Sequence, residues 1–279
     1  MKKIFLLLFL LSVLIIDAQS QRFAYEYRLV ADSTAKKDVK TEIMYLDVSK
    51  KGSKFYSSEV AISDSMREDR IKKGIHDFTG INFGYIPFVV EKSYPDYKTL
   101  FFNSLDVDKY KVTDDRPQNW KILPDKEKIG EFTAQKATLD FGGRKWIAWF
   151  VADIPIQDGP YKFHGLPGLI VKIEDKTNSH SFVLKEVKRR NTDWITEGEK
   201  KSFSKVIPVN IETYKKQFIE SRNNPTKGLR QMLASGTKVI MMSENGKPIE
   251  PEMMMKMREK EGKEENAKNN NLLELDLLK

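Results

Sequence analysis

The chain has no cysteine. That absence excludes disulfide staples, thiolate metal ligands and a lipid-bearing N-terminal cysteine. Histidine is nearly as scarce: His76, His164 and His180 are all that can serve base catalysis or nitrogen-rich metal binding. None stands in a two-ligand spacing such as HExxH, and no GxSxG elbow, P-loop or dinucleotide fingerprint occurs. Beyond the first twenty residues no apolar run approaches the length of a bilayer span. The common enzyme signatures are missing, and stability has to come from packing.

What is present begins with a targeting pattern. Lys2 and Lys3 precede an apolar core from Ile4 to Ile16, and Ala18-Gln19-Ser20 offers a small-residue cleavage site. Residues 1–20 are expected to be a signal peptide, cut after Ala18 or Ser20, so the mature chain is periplasmic or secreted. Removing Lys2, Lys3 and Asp17 takes 48 basic and 40 acidic residues to 46 and 39, and the net charge from +8 to +7. So balanced a count reads as a mixed solvated surface, and export argues further against a nucleic-acid partner. An anionic membrane surface or lipopolysaccharide stays open as a partner.

The mature chain opens as a meander. Phe23, Tyr25, Tyr27 and Leu29 recur at period two, Thr41 to Val48 repeats the pattern, and Lys54 to Val60 returns after a Gly52 turn. Ser63 to Lys73 reads as a capped helix stopped by Gly74. Strands resume at Phe88–Glu91, Leu100–Phe102, Tyr110–Val112 and Trp120–Leu123. Gly142-Gly143 then joins Ala137–Phe141 to Arg144–Val151 as a hairpin. Leu169–Ile173 and Ser181–Val187 form a further antiparallel pair. Past residue 200 the pattern turns helical: Asn210 caps a helix with Ile211, Tyr214 and Phe218 on one face, and Pro225 starts another. The expected fold is mainly β (α+β), a curved antiparallel sheet or partial barrel with a helical C-terminal third. One β-rich domain spans 21–247. Residues 248–279 read as a charged, partly disordered tail, whose Leu272–Leu278 run can dock as a final strand or helix.

The most distinctive stretch runs from Gly159 to Ile170, with three glycines and two prolines in twelve residues. Leu166-Pro167-Gly168-Leu169 suits a type II turn. Gly165 to Ile170 spell GLPGLI. Around them stand Trp120-Lys121-Ile122, Gln135-Lys136-Ala137, Gly142-Gly143-Arg144, Ala148-Trp149-Phe150, Ile154-Pro155-Ile156 and Gly159-Pro160. On these residues the chain resembles the GLPGLI family of extracytoplasmic proteins from Bacteroidetes-type bacteria. The resemblance implies no established activity; it implies a place beside outer-membrane receptors, because such genes are often neighbours. Related chains often carry a cysteine shortly before the Gln-Lys-Ala stretch, where Phe132-Thr133-Ala134 stands here, so any role of that cysteine is absent.

Three functional readings follow. Aromatic strands can line the concave side of a sheet and hold an apolar ligand or partner segment, with Tyr25, Tyr27, Trp146, Trp149, Phe150, Phe163 and His164 as the candidate binding residues. The same residues serve equally as a packed core. This reading makes the protein a non-enzymatic binding or accessory component of the cell envelope, associated with an outer-membrane transporter or an envelope lipid. Copper handling is the second reading, through Met241, Met242 or the Met253–Met257 cluster, whose thioethers suit Cu(I) but point to different helix faces. A hydrolase is the third, and needs His164 with Asp158 or Asp175 in one cleft. Glu174-Asp175 is a paired carboxylate that a solvated turn explains. No cofactor and no metal site is assigned.

Overall fold

The computed structural model describes residues 20–75, 80, 82, 84–200, 206–237, 239–243 and 245–279. The expected signal segment and His76 lie outside the described residues, apart from Ser20.

Alternation writes the centre of the sheet. In β1 (Ser20–Leu29), Phe23, Tyr25, Tyr27 and Leu29 face one side and are buried. β2 (Lys40–Ser49) sets Leu46 and Met44 opposite Phe23 and Tyr25. β3 (Gly52–Ser57), β4 (Val89–Ser93), β5 (Thr99–Leu105) and β6 (Asp108–Asp114) continue this meander outward on one side of β1. A second meander approaches from the other side. β7 (Lys121–Ile129), β8 (Phe132–Phe141), β9 (Arg144–Val151), β10 (Leu169–Asp175) and β11 (His180–Arg190) run inward, and β11 closes against β1. With β12 (Val206–Asn210) the sheet has twelve strands in the order β12-β6-β5-β4-β3-β2-β1-β11-β10-β9-β8-β7.

The fold is thus mainly β, as the alternation predicts, and the sheet is open, with β12 and β7 at its edges. Curvature is strong. Phe55 on β3 and Phe182 on β11 lie 5.8 Å apart, although β2 and β1 stand between them. On a flat sheet three strand spacings amount to roughly 14 Å.

Several local expectations shift. β12 joins β6 in parallel, an extra strand in a region that reads as helical. The first helix, α1 (Ser58–Lys72), starts five residues before the expected Ser63. The Ser57 hydroxyl accepts from the Glu59 and Val60 amides and so converts the end of the third strand into a helix cap. α2 (Ile211–Asn223) is capped by Asn210 and buries Ile211 and Tyr214. α3 (Lys227–Ala234) and α4 (Pro251–Lys268) complete the helices. The last segment docks through its leucine run. Asn271, Glu274 and Leu277 are buried, and Leu275–Leu278 forms a 3-10 turn against the sheet. Residues 269–279 act as a strap across the concave face. No helix among the described residues is long and apolar enough to cross a membrane.

Candidate functional site

Between β9 and β10 the chain passes through residues 152–168 and is held from within. Lys92 on β4 donates to the carbonyls of Gly159 (2.8 Å), Tyr161 (3.1 Å) and Phe163 (3.2 Å), and pairs with the Asp158 carboxylate. Both charged side chains are completely buried. Asp158 also accepts from the Gly159 amide at 2.6 Å and the Tyr94 hydroxyl at 2.5 Å. Burial lowers the Lys92 pKa while Asp158 opposes that shift. The ammonium supplies a donor to each inward carbonyl, as a bound cation would. Tyr161 sits at φ +56°, a strained conformation for a non-glycine residue, fixed at its carbonyl by Lys92 and at its hydroxyl by Glu274.

The corner that follows is tighter than a type II turn. The Gly168 amide donates to the Leu166 carbonyl at 2.7 Å, and the Leu169 amide is taken by Ile154 at 3.1 Å. Gly168 has φ +155°, and a Cβ there would stand 2.2 Å from the Val151 carbonyl oxygen. Only glycine permits that approach.

The strap lands on the same stretch of chain. Arg144 donates to Asn271 Oδ1 (2.6 Å) and to the Leu272 carbonyl (2.9 Å from Nε), while pairing with Asp175 at 3.0 Å. The Asn271 amide and side chain donate to the Ala31 and Val30 carbonyls. His180 Nε2 lies 2.9 Å from the Asn271 carbonyl, and Nδ1 lies 2.6 Å from the Tyr27 hydroxyl. A carbonyl only accepts, so Nε2 carries the proton of the neutral ring and Nδ1 accepts from Tyr27. Burial first, then the Arg144 charge, lowers the His180 pKa to about 4. Glu274 is enclosed by Lys162 (2.6 Å), Arg116 (2.6 Å) and the Tyr161 hydroxyl. Burial alone would raise its carboxyl pKa, but Lys162 and Arg116 hold it below the ordinary value. Asp114 completes this centre with both cations. Gly142, at φ +61°, makes room: a Cβ there would stand 2.8 Å from Glu274 Cγ.

Strap, sheet and α2 line a cavity of about 220 Å³ that is partly open to solvent. Its walls are Phe88, Phe101, Tyr161, Tyr214 and Phe218, with Leu272, Leu273 and Leu277 contributed by the strap. Tyr27, Asn103, His180, Asn271 and Glu274 add polar edges, and exposed Tyr85 stands at the rim. An engineered apolar cavity of about 150 Å³ already admits benzene. This one has room for one or two fused rings or a short acyl segment.

The seven aromatic and histidine candidates separate. Tyr27 alone lines this cavity. Tyr25, Trp146, Phe150 and Phe163 are fully buried in the core, and Trp149 is buried on the opposite face of β9. Their polar atoms are bonded inward: Tyr25 donates to the Ile170 carbonyl at 2.7 Å and Trp146 to the Phe141 carbonyl at 3.0 Å. The aromatic strands therefore pack against the loop and strap instead of lining an open concave face.

His164 stacks on Tyr97 with ring centroids 5.0 Å apart. Burial, then the nearby Lys92 charge, lowers its pKa to about 4. Asp158 is committed to Lys92 and Tyr94. Asp175 binds Arg144 and the amides of Thr177, Ser179 and His180. Glu174 pairs with Lys172 at 3.0 Å. On α4, Met254 is buried, while Met253 and Met257 face solvent together with Met241 and Met242. Sequence reasoning missed Lys92, Arg116, Lys162, Asn271 and Glu274, all of which read as surface residues. The usable signal was the Leu272–Leu278 run, too apolar for a free tail.

Residues 142–172 match the model of a family described as "Protein of unknown function (Porph_ging)". That stretch holds Gly142 and Arg144 under the strap, Asp158 to Phe163 around Lys92, and Gly168 at the corner. The comparison with curated proteins returns no match. Similar solved structures include PNGF-II in the P21 and C2 space groups, each 16% identical, with TM-scores of 0.50 and 0.49. The alignments cover 74% of this chain and 34% of PNGF-II, so this chain spans about a third of that protein's length. At such identity the likeness is one of fold.

Proposed function

We propose that this chain is a GLPGLI-type extracytoplasmic binding or accessory protein, exported through residues 1–20, that holds a small apolar ligand beneath its C-terminal strap. The observation that carries the reading is the aromatic-walled cavity of about 220 Å³ between sheet and strap. Apolar walls supply affinity; Tyr27, His180, Asn271 and Glu274 are tied up in the strap's contacts, whereas Asn103 donates to the Tyr214 hydroxyl at 2.8 Å and keeps a buried, unpartnered Oδ1 that can accept from a ligand donor. Service beside an outer-membrane transporter rests on the resemblance. The proposed role is one of binding: His164 stacks on Tyr97, and Asp158 is committed to Lys92 and Tyr94.

Native mass spectrometry of protein purified from the envelope fraction of an exporting host tests this reading. The expected result is a small-molecule adduct that organic extraction removes. Apo mass only, together with no uptake of naphthalene or decanoic acid by the extracted protein, would contradict it.

A further inference from the structure

A second concavity, of about 440 Å³, lies on the opposite, outward face of the β7–β8–β9 half of the sheet. Register places its cationic groups on one face. Lys121 on β7 is opposite Thr138 on β8, Thr138 is opposite Ile147 on β9, and Asp140 is opposite Lys145. Lys136 and Lys176 complete the ring. Four ammonium groups, drawn from three strands and the β10–β11 turn, share one concavity with one carboxylate, Asp140.

That carboxylate does little to neutralise them. Its contact with Lys145 is 3.6 Å long, and both side chains are more than 70% exposed, the situation in which an ion pair contributes least. Lys121, Lys136 and Lys176 make no ion pair among the described residues. Lys136 is held in place, its ammonium 5.6 Å from the centre of the Trp149 ring. Elsewhere on this face lysine is matched: Lys172 to Glu174 at 3.0 Å and Lys185 to Glu26 at 3.2 Å. Like charges gathered in a concave site raise the local potential, and a multivalent anion relieves it. The Thr138 hydroxyl and Asn119 amide, also in the wall, suit hydroxyl groups.

We infer that this concavity binds a small polyanion carrying two or more phosphate groups on a hydroxylated frame, either free in solution or as a lipid headgroup. The site is on the other face of the sheet from the cavity and independent of it.

Calorimetry at low salt compares three proteins: the native chain, K136Q/K176Q, and K256Q/K260Q, which loses the same charge from exposed α4. The probes are fructose 1,6-bisphosphate, inorganic phosphate, and vesicles containing cardiolipin, whose headgroup carries two phosphates. The native chain is expected to bind one or both bisphosphorylated probes at least tenfold more tightly than inorganic phosphate. K136Q/K176Q is expected to weaken that binding about tenfold or more, and K256Q/K260Q to leave it within twofold. Fructose bisphosphate binding identifies a soluble ligand, and vesicle binding alone identifies a headgroup. Equal losses in both variants, no preference over phosphate, or no binding to either probe would overturn the inference. Unchanged circular dichroism of the two variants verifies that the comparison is between folded proteins.

Discussion

Two buried charge centres hold the concave face together, and they differ in where their partners come from. At the first, Lys92 meets Asp158 and three carbonyls from residues 159–163, all within one loop of the family-matched segment. At the second, Lys162, Arg116 and Asp114 meet Glu274, which belongs to the strap. Both charged side chains of the first centre are completely buried, between β4 and the loop that joins β9 to β10. The second is closed by a terminal segment, so releasing the segment re-exposes charges without dismantling the sheet. One centre is part of the fold; the other latches a cover onto it. Burial alone therefore does not distinguish a structural ion pair from a releasable one. The sequence distance and the autonomy of the partner segment do.

The largest test of this contrast is Lys92→Met. It leaves Asp158 buried without its cation and three carbonyls without a donor, so urea unfolding is expected to lose about 3–5 kcal/mol. Lys92→Met with Asp158→Asn is expected to recover part of the loss, and no recovery would break the assignment of Asp158 as the stranded charge. Glu274→Gln comes next, at about 2–3 kcal/mol, because Asp114 still faces Lys162 and Arg116. Its effect is expected to be local. Hydrogen exchange should accelerate in 269–279 while amides of β1 and β11 stay protected. Uniform acceleration across the sheet would erase the distinction between the two centres.

The smallest effect is a pH dependence of the latch. His180 is neutral in the fold, with its pKa lowered to about 4 from the 6.5 of an exposed imidazole. Between those values the unfolded chain binds a proton that the folded chain does not, so stability falls as pH drops. About 1–2 kcal/mol is expected to be lost between pH 7 and pH 5 through this ring. His164, likewise lowered to about 4, contributes a similar slope, so His180→Gln is expected to remove roughly half of the histidine contribution in urea titrations at the two pH values. An unchanged slope would mean that His180 does not hold Asn271 in the manner described.

Much of the sheet was legible because its signals are local. Period-two aromatics located β1, Gly142-Gly143 located the β8–β9 hairpin, and Asn210 with Ile211 and Tyr214 located α2. The centres were not legible, because burying Lys92 or Glu274 depends on partners brought together by the tertiary fold. Asp158 is 66 residues beyond Lys92, and Tyr161 is 113 residues before Glu274. Their charge made both residues look solvated. The parallel pairing of β12 with β6 escaped for the same reason, since a five-residue strand ending on a helix cap carries no register signal. Of the candidate site, Tyr27 was named in advance, but the cavity's other walls came from β5, the β9–β10 loop, α2 and the strap.

An apolar ligand is proposed to fit between the sheet and the strap. Titration of naphthalene against the native chain and Ala31→Phe, followed by intrinsic tyrosine and tryptophan fluorescence, tests it most directly. Ala31 lines the cavity, so a phenyl group there fills ligand space. Saturable binding to the native chain is expected, with at least tenfold weaker binding to the variant and an unchanged circular dichroism spectrum. No saturable binding to the native chain, or equal binding to both proteins, would contradict it.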